Sequence, residues 1–271
     1  MNEYDYLNDK YYYGNEKDNS LIYQMRKYYE YDKERKKQEK EENIDLINLY
    51  DEFIEKTAYV LRKTNKTNNI FLYPLLLSNL IALGITGEYN EEFNVNNSFD
   101  LPNYMGINVI LGEGVCRNVN SFANDIFKIL GISSYPLMIS LNNEDIKPNH
   151  FITLVKLNNK YYGLDIYNNL FFNYIDHNHL NCINVQNLNK SKVPIFQYYA
   201  YLGLSDEAIN DILNTYKTKT DIDINYLNHL QKIANDIISS DNSDLYEYYQ
   251  ETFEIKNKIK SIFKKLKKKK N

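Results

Sequence analysis

The chain of 271 residues has no tryptophan and only two cysteines, Cys116 and Cys182. Two cysteines build no disulfide framework of the kind that staples small secreted folds. They fit a reducing compartment such as the cytoplasm, or a free reactive thiol. Long apolar runs are also missing. The most apolar stretch, residues 70–84, is broken by Pro74, Ser78 and Asn79. It falls short of the ~20 apolar residues that a membrane span needs. The amino terminus, Met-Asn-Glu-Tyr-Asp-Tyr, lacks the basic start and apolar core of a Sec-type signal. Nor is there a basic excess: the formal charge is −4, which speaks against a nucleic-acid binder.

What remains is 43% hydrophobic and 25% charged, the composition of a globular protein with a real core. The length allows one large domain, or one domain with helical appendages. The 27 tyrosines accompany much Asn, Lys and Ile, a compositional bias that points to no function.

Residues 1–19 have no period and read as a loose segment. From Leu21 to Glu42 both charge signs crowd together, as on a solvated helical spacer with pairs three and four apart. Leu46, Ile47, Leu49, Tyr50, Phe53, Ile54, Thr57 and Leu61 predict a helix over 44–61 with one buried face. A second helix over 70–84, with Pro74 in its first turn, is apolar nearly all round and belongs in the core. Residues 87–104 are Asn-rich, include Pro102 and read as a loop.

Beyond Ser205, an N-cap candidate followed by Asp206 and Glu207, the pattern is helical. One face carries Ile209, Ile212, Leu213 and Tyr216, and another Ile224, Leu227, Leu230, Ile233, Ala234 and Ile237. A last helix spans 244–266, and lysines 264, 265 and 267–270 form a solvated basic tail. Attraction of that tail to an anionic surface or to nucleic acid is the lesser alternative.

The informative stretch lies between. Gly112 and Gly114 permit a sharp turn before Cys116-Arg117. Val119, Phe122, Ala123, Ile126, Phe127 and Leu130 then follow helical spacing, and Gly131 supplies a stop. Cys116 therefore falls in a first helical turn, where the dipole and free N–H groups favour a thiolate. The bland reading of such a cysteine is a small buried hydrophobe. A strand is expected at 135–141. Residues 150–157 and 160–167 read as a hairpin around Asn158-Asn159, residues that tolerate the positive φ of a two-residue turn. That register pairs Leu157 with Lys160 and Ile152 with Asp165. His150 and Asp165 become diagonal neighbours on one face. The other face holds Phe151, Thr153, Val155, Leu157, Tyr162, Leu164 and Ile166, so helices should cover at least one side. A thiol, an imidazole and a carboxylate are the set that nucleophilic acyl transfer needs. Asp176-His177-Asn178-His179 reads as a polar loop rather than a metal site, and Cys182 as structural.

The match in Gly114, Cys116, Arg117, Gly131-Ile132, His150 and Lys160 to Asp165 resembles the transglutaminase-like branch of the papain-like cysteine enzymes. The resemblance runs over residues 105–167. It implies an α+β fold, with the helix that carries Cys116 packed on an antiparallel sheet that carries His150 and Asp165. The expected layout is a charged segment 1–43, a catalytic core 44–190, a helical region 191–263 and the tail 264–271. The resemblance implies Cys116 as nucleophile, His150 as base and acid, and Asp165 as the group orienting it. A thioester acyl-enzyme would form on a peptide or protein substrate and be resolved by water or by an amine. No cofactor or metal is expected. The alternative is an inactive relative, a binding or scaffolding module. Family members often complete the oxyanion hole with an upstream Gln or Trp. Here there is neither between Gln38 and Cys116, which leaves Asn108 or Tyr104 as candidates.

Overall fold

A computed structural model describes residues 36–82, 104–112, 114–140, 150–166, 170–175, 179–184, 190–194, 197–200 and 224–270. The first 35 residues, the expected loop at 87–104 except for Tyr104, and the expected helix after Ser205 lie outside them. Residues 36–42 are helical and lead into α1, Ile44–Thr64. Asp45 stands in the first turn of α1 and Arg62 and Lys63 in the last, the arrangement the helix dipole favours. Its buried face is the one that the apolar spacing predicts, from Leu46 through Phe53 to Leu61. α2, Leu72–Ala82, buries Leu72, Leu75, Leu76, Leu77 and Leu80. A short α3, Ile107–Ile110, precedes α4, Cys116–Ile129. The chain ends in α5, Ile224–Ser239, and α6, Ser243–Lys270.

The ends of α4 have separate causes. Gly112 takes φ 78°, a left-handed turn open to glycine. Asn118 accepts the Val115 N–H at 3.0 Å and donates to Met105 O at 3.0 Å, tying the helix start to the segment before α3. At the other end Gly131 has φ 77°. Ile132 N–H bonds Phe127 O and Gly131 N–H bonds Lys128 O, the two bonds of a Schellman stop.

Seven strands form one sheet: β1 Ser134–Ser140, β2 His150–Leu157, β3 Lys160–Asp165, β4 Leu170–Ile175, β5 His179–Asn184, β6 Lys190–Pro194 and β7 Gln197–Ala200. The order is β6-β5-β4-β3-β2-β1-β7, and every neighbouring pair is antiparallel. The fold is α+β. The β2–β3 hairpin turns on Asn158 (φ 49°) and Asn159 (φ 62°), with Leu157 opposite Lys160 as expected. α4 lies against β1 and β2, and its other side faces α1 through Phe53 and Phe122, whose ring centroids are 6.2 Å apart. α6 packs on α1, where Thr57 and Tyr248 share a hydrogen bond of 2.9 Å. α5 packs on α2.

Three expectations need correction. The core does not end at residue 190: β6 and β7 complete opposite edges of the sheet, so 191–263 is not purely helical. Both are edge strands of five and four residues, too short to show an alternating pattern. The lysines from 264 to 270 are no separate tail, because α6 continues through Lys270. His179 is not in a loop but opens β5, while His177 lies outside the described residues. Among the described residues, no helix is long and apolar enough to cross a membrane.

Candidate active site

His150 is the first residue of β2 and Asp165 the last of β3. Their side chains meet: His150 Nε2 lies 2.6 Å from Asp165 Oδ2. The His150 side chain is 14% exposed and that of Asp165 1%, so the pair is shielded but not sealed from solvent. Cys116 is the first helical residue of α4 and half-buried, and its side chain stands beside the same imidazole, close enough to bear on its protonation. With Nε2 on the carboxylate, Nδ1 is the nitrogen left for the sulfur. Burial opposes a charge on His150. The hydrogen bond and negative charge of Asp165, with Cys116 beside the ring, outweigh it, and the imidazole is pushed up to about 10.

Thr153 Oγ1 donates to Asn120 O at 2.9 Å, so α4 covers the row of Thr153, Val155 and Leu157. By strand alternation that is the face opposite the one His150 and Ile152 occupy. The thiol meets His150 where the strand begins, at the open end of the hairpin.

Sequence reasoning missed Asn120, one turn beyond Cys116 and fully buried. Its amide Nδ2 lies 2.9 Å from Cys116 O, 2.8 Å from Phe151 O and 3.3 Å from Asp165 Oδ1. Its Oδ1 accepts the Ile166 N–H at 3.0 Å. A usable signal was present: asparagine is a poor helix former, and position 120 lies between the apolar Val119 and Phe122 in a core-facing helix, beside Ser121.

The two oxyanion candidates are engaged elsewhere. Asn108 donates to Met105 O at 3.4 Å. Tyr104 sits edge-on to Tyr50, with Lys36 Nζ 5.4 Å from its ring centre. Burial, then the charges of Asp51, Glu39 and Asp125, push its hydroxyl up to about 12. Cys182 lies on β5, two strands beyond the one that ends in Asp165. A cleft of about 650 Å³ between α1 and α6 contains none of the three residues. Two ion pairs cross it, Lys56 with Glu251 at 2.9 Å and Lys63 with Asp244 at 3.8 Å, as in a solvated interhelical groove. Among the described residues, no group of three or more His, Cys, Asp or Glu is placed to hold a metal.

In comparisons with known proteins, no family model matches the chain, and no curated protein matches it.

Proposed function

We propose that the protein is a cysteine-dependent acyl-transfer enzyme with a transglutaminase-like core, acting on an amide of a peptide or protein. One observation carries the reading: a single imidazole is hydrogen-bonded to a buried carboxylate and stands beside a cysteine at a helix start. A random His and Asp on facing strands have no reason to be joined by a thiol from a third element.

In this reading the Cys116 sulfur attacks the substrate carbonyl carbon and forms a C–S bond. The carbonyl π electrons move to oxygen, and the Cys116 backbone N–H at the helix start is one donor to that oxyanion. His150 gives its proton to the departing amine as the C–N bond breaks, which leaves a thioester. Water or a second amine then attacks the thioester carbon and His150 takes the proton from that nucleophile; the C–S bond breaks, which returns the sulfur to Cys116 as thiolate and releases an acid or a new amide. Asp165 holds the ring orientation and balances the imidazolium charge.

The test is limited alkylation with iodoacetamide, followed by mapping of the modified residue. Cys116 should react before Cys182, and its modification should abolish turnover of peptide amides. Equal labelling of the two thiols would overturn the reading and favour an inactive binding module.

A further inference from the structure

The β2–β3 ladder stops one rung early, and the missing rung is where Asn120 sits. In a hairpin with a two-residue turn, the residues flanking the turn form a hydrogen-bonded pair, and such pairs recur at every second position. Leu157–Lys160, Val155–Tyr162 and Thr153–Leu164 follow that order. The next pair would be Phe151–Ile166, but the pairing ends at Thr153–Leu164. The Asn120 amide takes the place of that rung. Its Oδ1 accepts the Ile166 N–H at 3.0 Å, and its Nδ2 donates to Phe151 O at 2.8 Å. One primary amide thus supplies the acceptor for Ile166 N–H and the donor for Phe151 O, the two groups of one of the two hydrogen bonds such a pair exchanges.

Two further contacts point at the site. The same Nδ2 reaches Cys116 O at 2.9 Å and Asp165 Oδ1 at 3.3 Å. Two N–H groups face three acceptors, so they are shared, and the carboxylate bond is the longest of the three. Asp165 is then held at both oxygens, Oδ2 by His150 and Oδ1 by Asn120. A single side chain contacts Cys116, the residue after His150, Asp165 and the residue after Asp165. Burying an amide is costly unless its groups are satisfied, and here both ends are.

We propose that Asn120 is the positioning residue of this site: it wedges the β2–β3 ladder open and fixes the Asp165 carboxylate against His150. Its catalytic meaning rests on the function proposed above, but its placement does not.

The first measurement uses the unaltered protein. The side-chain NH2 of Asn120, observed by 15N NMR, should exchange slowly with water. Its shifts should also follow the titration of His150, which Asp165 from β3 and Cys116 from α4 face. Exchange at the rate of a free amide, with no response to that titration, would overturn the proposal. The second measurement uses Asn120→Ala, with circular dichroism as the folding control. Alkylation of Cys116 should slow roughly tenfold to a hundredfold. The alkaline limb of its pH profile should move down from about 10 toward the ordinary histidine range. A folded variant with an unchanged profile would overturn the proposal. If the variant does not fold, the amide exchange decides. Failure of the enzyme reading appears elsewhere, as equal labelling of Cys116 and Cys182 in the unaltered protein.

Discussion

Two buried polar clusters flank α4, and burial has opposite consequences in them. On the α1 side Tyr50 donates to Asp125 at 2.8 Å, and Tyr248 shares a hydrogen bond with Thr57. Burial pushes the Tyr50 hydroxyl up first, and the charge of Asp125 adds to the shift. Burial pushes Tyr248 up as well. Desolvation and the carboxylate act in one direction on Tyr50, so the phenol keeps its proton at any ordinary pH. On the sheet side desolvation and the carboxylate oppose each other at His150, and the partners win. The difference lies in the charge type of the ionised form. A carboxylate disfavours a phenolate and favours an imidazolium. The first cluster is silent in its phenols, which stay protonated, and holds helices together, while the second keeps a charge on its imidazole in a shielded place.

Substitutions can break this contrast. The largest effect is expected from Asp165→Ala, which removes the orienting carboxylate. Turnover of a peptide amide should fall roughly 10⁴-fold, with circular dichroism unchanged. A folded variant with normal turnover would take Asp165 out of the mechanism. Next is the ratio of the two thiols: at neutral pH, iodoacetamide should modify Cys116 ~10-fold faster than Cys182, or more. The rate advantage should disappear as pH rises through about 10, where His150 loses its proton. Stability should follow the same sign. The protonated pair contributes fully below the ordinary histidine value of about 6.5, and its contribution is lost as pH rises through about 10. Denaturant midpoints measured across that window would show it, and a flat profile would argue against a charged His150.

The silent cluster should answer differently. A Cβ on Gly106 would lie 2.1 Å from Tyr50 Oη and 2.8 Å from Phe122 Cα. Gly106→Ala should cost about 1–3 kcal/mol in urea unfolding. Adding Tyr50→Phe should restore only part of that, because the backbone contact remains. Tyr50→Phe alone should cost about 1 kcal/mol and leave the alkylation profile of Cys116 where it was. Smallest is Glu251→Gln at the Lys56 ion pair on the rim of the interhelical cleft, expected below about 1 kcal/mol because both side chains are substantially exposed.

The parts of the fold that repeat a local period were legible. The α1 and α4 faces follow apolar spacing, and the hairpin register follows from Asn158-Asn159. The His150–Asp165 contact followed from that register, since a two-residue turn leaves no freedom in which residues oppose each other. What escaped depends on contacts distant in sequence. β6 and β7 are recognisable only by the strands they join. The helical state of the terminal lysines is a continuation of the packed face of α6, which Ile255 and Ile259 bury. Asn120 escaped because its partners are 31 to 46 residues away, apart from the one in its own turn. Its apolar neighbours at Val119 and Phe122 were the clue.

The hairpin also bears on the order in which the site becomes complete. His150 and Asp165 are 15 residues apart, on two arms of one turn. Contacts of that range close quickly, on the microsecond scale of hairpin formation. Cys116 comes from outside the hairpin and meets the imidazole only when α4 docks, which also requires Asn120 to enter between the strands. A chain with its hairpin formed and its helix undocked would hold base and carboxylate together, yet its thiol would react like any free cysteine. With Cys116 as the proposed nucleophile, its enhanced alkylation would count finished molecules. It offers a chemical clock for assembly that needs no knowledge of the substrate.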